Sequence, residues 1–392
     1  MWRNTRLSGR IKEELAMQAS LLLDACRKYG IDFFTGVPDS LLKGLCNELY
    51  DRFGTEGDTH VVAHNEGGAI GLCAGHYLAS GKPGLCYMQN SGIGNAVNPL
   101  VSLMDTDVYA IPCLLVIGWR GEPGVKDEPQ HMKQGKITLG QLDLMDIPYR
   151  ILSSDTTEAD FLSYFDELAS LMDSGKTVAF VIRKGALESS RKPVYGNGYA
   201  MTRESAVGRI LSSDDAGSVF ICTTGKLSRE VFELREARGE DHSRDFLTVG
   251  SMGHASMIAL RIAVEKPNRR VWCLDGDGAS LMHLGALPVI GKRAPSNLIH
   301  VVINNGAHET VGGMPVCSGS MDIASLASAA GYTCVLTADS ESSLDRALAE
   351  AEKPHSGPVL IEVRCACGSR SDLGRPTTTP VMNRDALMSF IR

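Results

Sequence analysis

Two polar motifs in the second half of the chain combine residue types that bind metal ions and phosphate groups. A Gly-Asp-Gly motif centred on Asp277 follows the apolar run Val271–Leu274, and an Asn-Asn pair ending at Asn305 follows the apolar run Leu298–Ile303. The pattern between them predicts one helix, at about Leu281–Ile290. In a right-handed βαβ unit both motifs lie at the carboxyl edge of a parallel sheet, where α/β folds bind ligands.

An aspartate carboxylate, an asparagine amide oxygen and one backbone carbonyl offer three hard oxygen ligands, which suit octahedral Mg²⁺. A diphosphate and water would complete the shell, because glycines let backbone N–H groups approach a diphosphate at a helix N-terminus. Each motif alone is typical of a turn, but the two at this spacing favour a cofactor site. The chain has no P-loop, HExxH or GxSxG motif, and Leu281 breaks a dinucleotide-binding fingerprint.

Glu66 is the second residue of chemical interest, because it follows the strand-like run His60–Ala63 and opens a glycine-rich helical stripe, Ala69–Leu78. A carboxyl group in an apolar cleft can act as a general acid–base catalyst. The alternative is that Glu66 only complements the positive end of the helix dipole. Each glycine inside a helix costs about 1 kcal/mol relative to alanine, so we expect a tightly packed helix or a cofactor against this stripe.

The elements that must position these residues follow from the alternation of apolar, β-branched runs with helical patterns, which is typical of βα units. The candidate strands are His60–Ala63, Leu85–Met88, Val108–Ile117, Thr177–Ile182, Val219–Thr223, Val271–Leu274, Leu298–Ile303 and Val359–Val363. The stretch Gly185–Ala200 is rich in Ser, Lys, Pro, Gly and Asn and has the composition of a linker. We predict two parallel-sheet α/β domains, residues 1–190 and 205–392, joined by a linker at 191–204.

Composition excludes several other classes of protein. The 392 residues are 43% apolar and 22% charged, which are ordinary globular values. No apolar run is long enough to span a membrane, and the formal charge of −7 argues against nucleic-acid binding. Eleven dispersed cysteines predict reduced thiols in the cytoplasm, not disulfides or a zinc site. The basic residues 1–12 predict a solvated extension, with a transit peptide as the alternative.

The Gly-Asp-Gly and Asn-Asn motifs at this spacing resemble the cofactor signature of the thiamine-diphosphate-dependent decarboxylases. The resemblance implies their fold, with a pyrimidine-type first domain, a diphosphate-type second domain and no central third domain. It implies Asp277, Asn305 and the carbonyl of Ala307 as Mg²⁺ ligands, with Gly250 and Met252 against the aminopyrimidine ring. Further cofactor contacts are expected from Gly276, Gly278, Ala279, Thr224 and Gly225.

The same resemblance gives Glu66 a catalytic role. Glu66 would protonate N1′ of the aminopyrimidine, so that the 4′-imino group can take the proton from C2 of the thiazolium. Glu66 and Asp277 fall in different domains, which meet across a subunit interface in this family. The resemblance therefore implies a homo-oligomer with active sites shared between subunits. The chain lacks the His-His dipeptide of some pyruvate decarboxylases, so pyruvate is not the expected substrate.

Longer stretches resemble one branch of this family, the phosphonopyruvate decarboxylases, over nearly the whole chain. They are residues 33–43, 87–99, 118–131 and 375–380. The implied reaction converts 3-phosphonopyruvate to phosphonoacetaldehyde and CO₂, as in phosphonate biosynthesis leading to 2-aminoethylphosphonate. The alternatives are a sulfopyruvate decarboxylase, a cofactor-binding subunit without activity, and a metal-dependent phosphohydrolase that uses Asp275 and Asp277.

A phosphonate dianion requires cationic and neutral hydrogen-bond donors. The candidate cations are Lys43 and Arg120, followed by Lys126 and Lys133, and the candidate neutral donors are Ser40, Asn90 and Ser91. The polar stretch Arg120–Leu139 predicts a lid or a binding loop. Asp39 is a candidate for tuning the pyrimidine side or relaying a proton, and His131 or His308 for protonating the product carbanion.

Overall fold

The computed structural model describes residues 16–214 and 217–392. Its strands are β1 (Met17–Gln18), β2 (Phe34–Gly36), β3 (His60–Val62), β4 (Gly84–Gln89), β5 (Cys113–Gly118), β6 (Tyr149–Leu152), β7 (Val178–Ile182), β8 (Leu187–Glu188), β9 (Val219–Cys222), β10 (Asp245–Leu247), β11 (Val271–Gly276), β12 (Leu298–Asn304), β13 (Ala307–His308), β14 (Met314–Pro315), β15 (Cys334–Ala338) and β16 (Val359–Arg364). Its helices are α1 (Ala19–Lys28), α2 (Lys43–Phe53), α3 (Glu66–Ser80), α4 (Ile93–Pro99), α5 (Pro129–Leu144), α6 (Glu158–Asp173), α7 (Arg203–Ser213), α8 (Lys226–Arg238), α9 (Ala255–Glu265), α10 (Asp277–Met282), α11 (Ala286–Arg293), α12 (Ile323–Ala329), α13 (Glu341–Ala351) and α14 (Pro380–Ile391).

Two six-stranded parallel sheets form the two halves of the protein. The first has the strand order β3-β2-β4-β5-β7-β6, and the second has the order β10-β9-β11-β12-β16-β15. Successive side chains of a strand enter opposite clusters, as Leu114 and Leu115 of β5 show. Each sheet is therefore buried on both faces, as parallel sheets require. The prediction of two parallel-sheet α/β units is confirmed.

Several predicted elements are placed differently by the structure. The strand predicted at Val108–Ile117 begins only at Cys113, because the amides of Val108 and Ala110 both donate to Asp105 in a tight turn. The short or half-exposed strands β2, β6, β10 and β15 were not predicted, because their apolar runs are too short to stand out in the sequence.

One helix prediction and one loop prediction are wrong in detail. The single helix expected at Leu281–Ile290 is two helices, α10 and α11, separated at His283–Gly285 by a glycine-containing turn. The expected binding loop at Arg120–Leu139 is a loop only as far as Glu128. Proline at the first position of α5 then starts a helix through the second half of that stretch.

The connection between the halves contains one further strand. β8 pairs in parallel with β1, and residues 189–202 contain neither helix nor strand. Asn197 in this segment donates to the carbonyl oxygens of Asn305 and Cys365, both at 2.9 Å, so the connection runs past the carboxyl edge of the second sheet. The domain bounds given above stay predictions.

None of the described helices combines the length and apolarity needed to cross a membrane. Within the described ranges all eleven cysteines are free, and most are buried. The basic N-terminal residues 1–12 lie outside the described residues.

Candidate active site

Asp277 is the first residue of α10, directly after β11. Its Oδ1 accepts from the Gly278 amide at 2.8 Å, and its Oδ2 accepts from the Gly306 amide at 2.8 Å and from Ser318 Oγ at 2.7 Å. These contacts bring the Gly-Asp-Gly turn and the loop after Asn305 together, as the shared sheet edge predicts. The carboxylate thus joins two chain segments that lie on neighbouring strands.

The surroundings of Asp277 fit a bound cation. The side chain is only 4% exposed, and burial raises its pKa to about 6 despite the hydrogen bonds it accepts. No lysine or arginine of the described ranges forms an ion pair with it. A buried carboxylate without a cationic partner is costly, and a divalent metal ion would remove that cost.

The two asparagines of the Asn-Asn pair have different roles. Asn304 donates to Glu362 Oε1 at 2.8 Å inside the sheet, so its side chain is structural. Asn305 Oδ1 accepts from the Ala307 amide at 3.1 Å, and Asn305 Nδ2 donates to Glu309 at 3.4 Å. The Asn305 oxygen therefore lies at the Asp277 loop, where it fits the predicted ligand set.

Gly278 lies where two predicted site residues converge. A Cβ atom at this position would lie 3.0 Å from His308 Cε1 and 3.5 Å from Met252 Cε. The structure thus brings Met252 and His308 to the Asp277 turn, with Ala279 following on the same helix. Burial lowers the pKa of His308 to about 4, so its imidazole is neutral near pH 7.

The loop after β9 carries Thr224 and Gly225. Thr224 Oγ1 donates to the carbonyl of Val249 at 2.8 Å, which ties this loop to the segment that contains Gly250. Gly225 has a φ of +102°, and a Cβ there would lie 2.7 Å from Thr310 Oγ1. Gly225 therefore borders the loop that follows Asn305, whereas Thr224 contacts the segment that precedes Gly250.

Glu66 opens α3 at the carboxyl edge of the first sheet. It is 4% exposed, and its Oε2 accepts from Asn95 Nδ2 at 2.7 Å. Gly92 leaves room for the Glu66 carboxylate, because a Cβ atom at that position would collide with Glu66 Oε1. The preceding residue, Asn65, caps the helix by accepting from the Gly68 amide at 2.7 Å. Local structure therefore fixes Glu66 in a confined space.

Asp39 lies at the same edge, fully buried. Its Oδ1 accepts from Gln89 Nε2 at 2.5 Å, and its Oδ2 accepts from the Leu41 amide at 2.9 Å. Burial raises the pKa of Asp39 above its ordinary value, and no ion pair of the described residues includes it. Ser91 Oγ donates to Gln89 Oε1 at 2.7 Å, so it reaches Asp39 only through Gln89.

Arg120 is held in a defined orientation by Asp127. Arg120 Nε and Nη2 donate to the two Asp127 oxygens at 2.8 and 2.5 Å, and Nη1 donates to Ser40 Oγ at 2.9 Å. Burial alone would raise the pKa of Asp127, but hydrogen bonds from Arg120 and two backbone amides lower it well below its usual range. The pair is therefore fully ionised near pH 7, and its net charge is zero.

Asn90 supports this arrangement and is not exposed to substrate. Its Nδ2 donates to the Arg120 carbonyl and to Thr138 Oγ1, both at 2.8 Å, and its Oδ1 accepts from the Arg120 amide at 3.2 Å. The side chain is fully buried. These contacts use both donors and one of the two acceptor positions of its side chain, so its structural role is to anchor Arg120.

His131 and Lys43 complete the set of predicted residues. Burial, followed by the nearby Arg120, lowers the pKa of His131 to about 4, and its Nε2 lies 3.5 Å from Gln130 Nε2. Lys43 is exposed at the start of α2, and its aliphatic stem borders Gly312 of the second half. Within the described ranges, no hydrogen bond or ion pair engages its ammonium group.

The two halves of the chain meet beside these residues. Asn65 Nδ2 donates to the Met282 carbonyl at 3.2 Å, so the N-cap of the helix that Glu66 opens contacts the last residue of the helix that Asp277 opens. Gln130 borders Gly250, where a Cβ atom would lie 3.1 Å from Gln130 Cβ. At these two points, segments that carry predicted pyrimidine-side residues touch segments that carry predicted metal-side residues of the same chain.

Sequence reasoning missed the residues that hold the site together. Asn95 contacts Glu66, Asp127 contacts Arg120, and Ser318 contacts Asp277. In addition, Lys226 Nζ donates to Glu309 Oε1 at 3.1 Å. All of them lie in loops or helix ends with ordinary polar composition. The only signal available was their position shortly after predicted strands.

Comparison with known proteins places these features in context. A model described as thiamine pyrophosphate enzyme, N-terminal TPP binding domain, matches residues 18–144, and its C-terminal TPP binding domain counterpart matches residues 223–363. A phosphonopyruvate decarboxylase of Streptomyces viridochromogenes is 35% identical over 378 residues, which is 92% of each chain. That of Streptomyces hygroscopicus is 33% identical over 93% of this chain and 91% of its own. A sulfopyruvate decarboxylase of Methanosarcina acetivorans is 26% identical over 76% of this chain and 78% of its own.

Proposed function

The chain belongs to the phosphonopyruvate decarboxylases among the thiamine pyrophosphate enzymes, and on this basis we propose that it converts 3-phosphonopyruvate to phosphonoacetaldehyde and CO₂. The observation that carries the proposal is the pair of buried carboxylates at the carboxyl edges of the two sheets, where Glu66 begins α3 and Asp277 begins α10. In the proposal Glu66 is the acid for the pyrimidine side, and Asp277 is the carboxylate for a metal ion.

Mg²⁺ would be held by Asp277, Asn305 and the Ala307 carbonyl. The diphosphate would be contacted by Gly276, Gly278, Ala279, Thr224 and Gly225. Gly250 and Met252 would border the aminopyrimidine ring. When bound, thiamine diphosphate supplies the electron sink that decarboxylation of a 2-oxo acid requires.

Glu66 holds and moves the proton at N1′ in this proposal. Its confinement by Gly92 and Asn95 keeps one carboxylate oxygen directed and the other hydrogen-bonded. Because the group is buried, bulk water does not compete for that proton. Asp39 lies at the same edge of the first sheet, where Gln89 and the Leu41 amide hold it as the second carboxyl group of the proposed site.

We assign relay of the proton that replaces the lost carboxyl group to His308, whose neutral imidazole gives up a proton from one ring nitrogen while it takes one up at the other. It packs over Gly278 beside Met252, whereas His131 lies against Gln130 at the base of the loop that holds Arg120. His131 is the alternative donor. Exchange of each histidine for asparagine separates the two roles, since only loss of the donor lowers turnover at saturating substrate.

The phosphonate end of the substrate is recognised by Lys43, Arg120 and Ser40. Arg120 offers directed N–H groups, but Asp127 neutralises its charge. Lys43 adds the net positive charge, because its ammonium group has no partner among the described residues and its stem borders Gly312. A dianion gains more from such a charge than a monoanion does.

We expect Lys43→Gln to lower kcat/KM for phosphonopyruvate by about 10- to 100-fold, the value of one charge-assisted hydrogen bond. The loss for sulfopyruvate, whose sulfonate is a monoanion, should be several-fold smaller. Steady-state kinetics with both acids measures the ratio. The matched control is Lys28→Gln, which removes an exposed lysine at the far end of α1.

Equal losses for the two acids would contradict the role of Lys43 in selecting the dianion. A wild-type protein that prefers sulfopyruvate would instead support the sulfopyruvate alternative. The geometry does not support the phosphohydrolase alternative, which needs an accessible Asp275. This residue is 1% exposed, and its carboxylate accepts hydrogen bonds from the Gly276 amide and from Ser280 Oγ.

The protein is further proposed to be a homo-oligomer, joined through one face of α3 and α4. This α3–α4 face exposes small and apolar residues, with open space above its glycines: Gly71, Gly75, Leu78, Gly94, Val97 and Val101. Glycines let two helices approach closely, which accounts for their cost in the helix interior. The face belongs to the helix that Glu66 opens, so a second copy bound there would stiffen the catalytic edge.

We expect the double change Leu78→Asp and Val101→Asp to shift the protein toward monomer in sedimentation experiments. Leu144→Asp, an equally apolar but distant exposed position at the end of α5, is the control. A wild-type protein that is monomeric and fully active would contradict the proposal.

Sharing of active sites between subunits stays a prediction, and complementation tests it. Glu66→Gln and Asp277→Asn proteins each have strongly reduced activity by this account. Mixed oligomers regain activity only if Glu66 of one subunit serves Asp277 of another, whereas sites built within one chain stay inactive in every mixture.

A further inference from the structure

Three polar side chains form a column inside the second sheet, beneath the Asp277 turn. Asp275 on β11 and His300 on β12 are each 1% exposed, and Tyr332, which follows α12, is 5% exposed. His300 Nδ1 lies 2.9 Å from the Tyr332 hydroxyl, and His300 Nε2 lies 3.5 Å from Asp275 Oδ2. None of these three residues belongs to the proposed reaction site.

The upper end of this column holds the turn on both sides of Asp277. Asp275 Oδ1 accepts from the Gly276 amide at 3.0 Å, and Asp275 Oδ2 accepts from Ser280 Oγ at 3.1 Å. Gly276 precedes Asp277, and Ser280 follows it within α10. The orientation of the Asp275 carboxylate therefore sets the path of the backbone that presents Asp277.

The lower end of the column fixes Asp275. No lysine or arginine of the described ranges pairs with this carboxylate, and His300 is its nearest ionisable partner. His300 Nε2 makes no hydrogen bond among the described residues, and its nearest carboxylate oxygen is Asp275 Oδ2 at 3.5 Å. If Nδ1 accepts from the Tyr332 hydroxyl, the ring hydrogen is on Nε2, and its positive end attracts the Asp275 carboxylate across that distance.

We propose that His300 is a positioning residue for the cofactor metal: fixed by Tyr332, it orients Asp275, and Asp275 holds the turn in the shape that lets Asp277 bind Mg²⁺. This inference rests on the proposed function, because it concerns the same metal site. It assigns to His300, which touches neither metal nor substrate, an effect on metal affinity.

The test compares four purified variants by calorimetric titration of Mg²⁺ with thiamine diphosphate present. We expect His300→Ala to weaken Mg²⁺ binding by about 10- to 100-fold, as loss of an outer-shell partner does. Turnover at saturating Mg²⁺ and cofactor should fall far less. His300→Gln keeps a donor near the Nε2 position and should restore most of the affinity.

Ile361→Ala is the control for a merely structural effect. Ile361 is fully buried on β16, the strand next to His300, but it packs in the core cluster on the opposite face of the sheet from Tyr332, so its truncation makes a cavity away from the column. It should lower Tm but leave Mg²⁺ affinity unchanged. Tyr332→Phe removes only the hydroxyl and keeps the packing, so it tests the proposal even if His300→Ala does not fold. We expect its loss of Mg²⁺ affinity to be smaller than that of His300→Ala.

Unchanged Mg²⁺ affinity in both folded His300 and Tyr332 variants would overturn the proposal. So would a metal ion that copurifies with the protein and is lost in Cys273→Ser, because the ligand atoms of Cys273, Asp275 and His300 lie within 4.8 Å of one another. Binding is measured without turnover. A protein that binds cofactor but releases no CO₂ therefore refutes the proposed function and leaves this inference standing.

Discussion

Replacing Glu66 with glutamine is expected to lower turnover by about 10²-fold or more while leaving cofactor affinity nearly intact, as for loss of a general acid–base group. Glutamine keeps the length of the side chain and can still bond Asn95, but it cannot transfer a proton at N1′. The confined space beside Gly92 prevents water from replacing the lost carboxyl group. Single-turnover kinetics and thiamine diphosphate titration measure the two effects separately.

Glu48→Gln is the matched control, because Glu48 is a glutamate with the same 4% exposure that serves no proposed catalytic role. It pairs with Arg52 at 3.4 Å and accepts from Ser189 Oγ at 2.8 Å, so its loss affects stability. Activity close to wild type in Glu66→Gln would remove its catalytic assignment. A large loss of activity in Glu48→Gln would show that any buried glutamate change has this effect.

Replacing Asp277 with asparagine is expected to have the second large effect, a loss of Mg²⁺ affinity greater than about 10²-fold. Loss of an outer-shell partner already costs 10- to 100-fold, and Asp277 would be a direct ligand and the charged one. The rise in Tm that Mg²⁺ and thiamine diphosphate give the wild-type protein should disappear, because ligand binding to the native state is what stabilises it. Differential scanning calorimetry with and without both ligands records this.

Asp322→Asn serves as the control for Asp277, since it removes the same charge from an exposed helix cap where asparagine is equally good. Its ligand-induced rise in Tm should match that of the wild-type protein. A full ligand-induced rise in Asp277→Asn would contradict the metal site.

The sequence was sufficient to identify the candidate site residues that directly follow the ends of strands. Asp277 and Asn305 end neighbouring parallel strands, so their proximity follows from topology, and the Asp277–Gly306 hydrogen bond of 2.8 Å agrees with it. Glu66 could be identified for the same reason, together with the glycines that follow it. The two-sheet architecture followed from alternating apolar runs.

Residues in loops were assigned less well, because their contacts depend on how distant segments pack. Asn90 has the polarity of a substrate donor, yet it anchors the backbone of Arg120 in the interior. Asp127 has the sequence context of an ordinary loop residue, but its ion pair neutralises the charge of Arg120. In the proposed phosphonate site, Lys43 would therefore supply the net positive charge. Which polar groups already have hydrogen-bond partners depends on the three-dimensional packing and cannot be predicted from residue type alone.

The most direct test of the account measures CO₂ release and phosphonoacetaldehyde formation from 3-phosphonopyruvate with the purified protein. The account predicts equal amounts of both products, formed only when Mg²⁺ and thiamine diphosphate are both present. Failure to release CO₂ from this acid with both present, or release of inorganic phosphate in their absence, would contradict it.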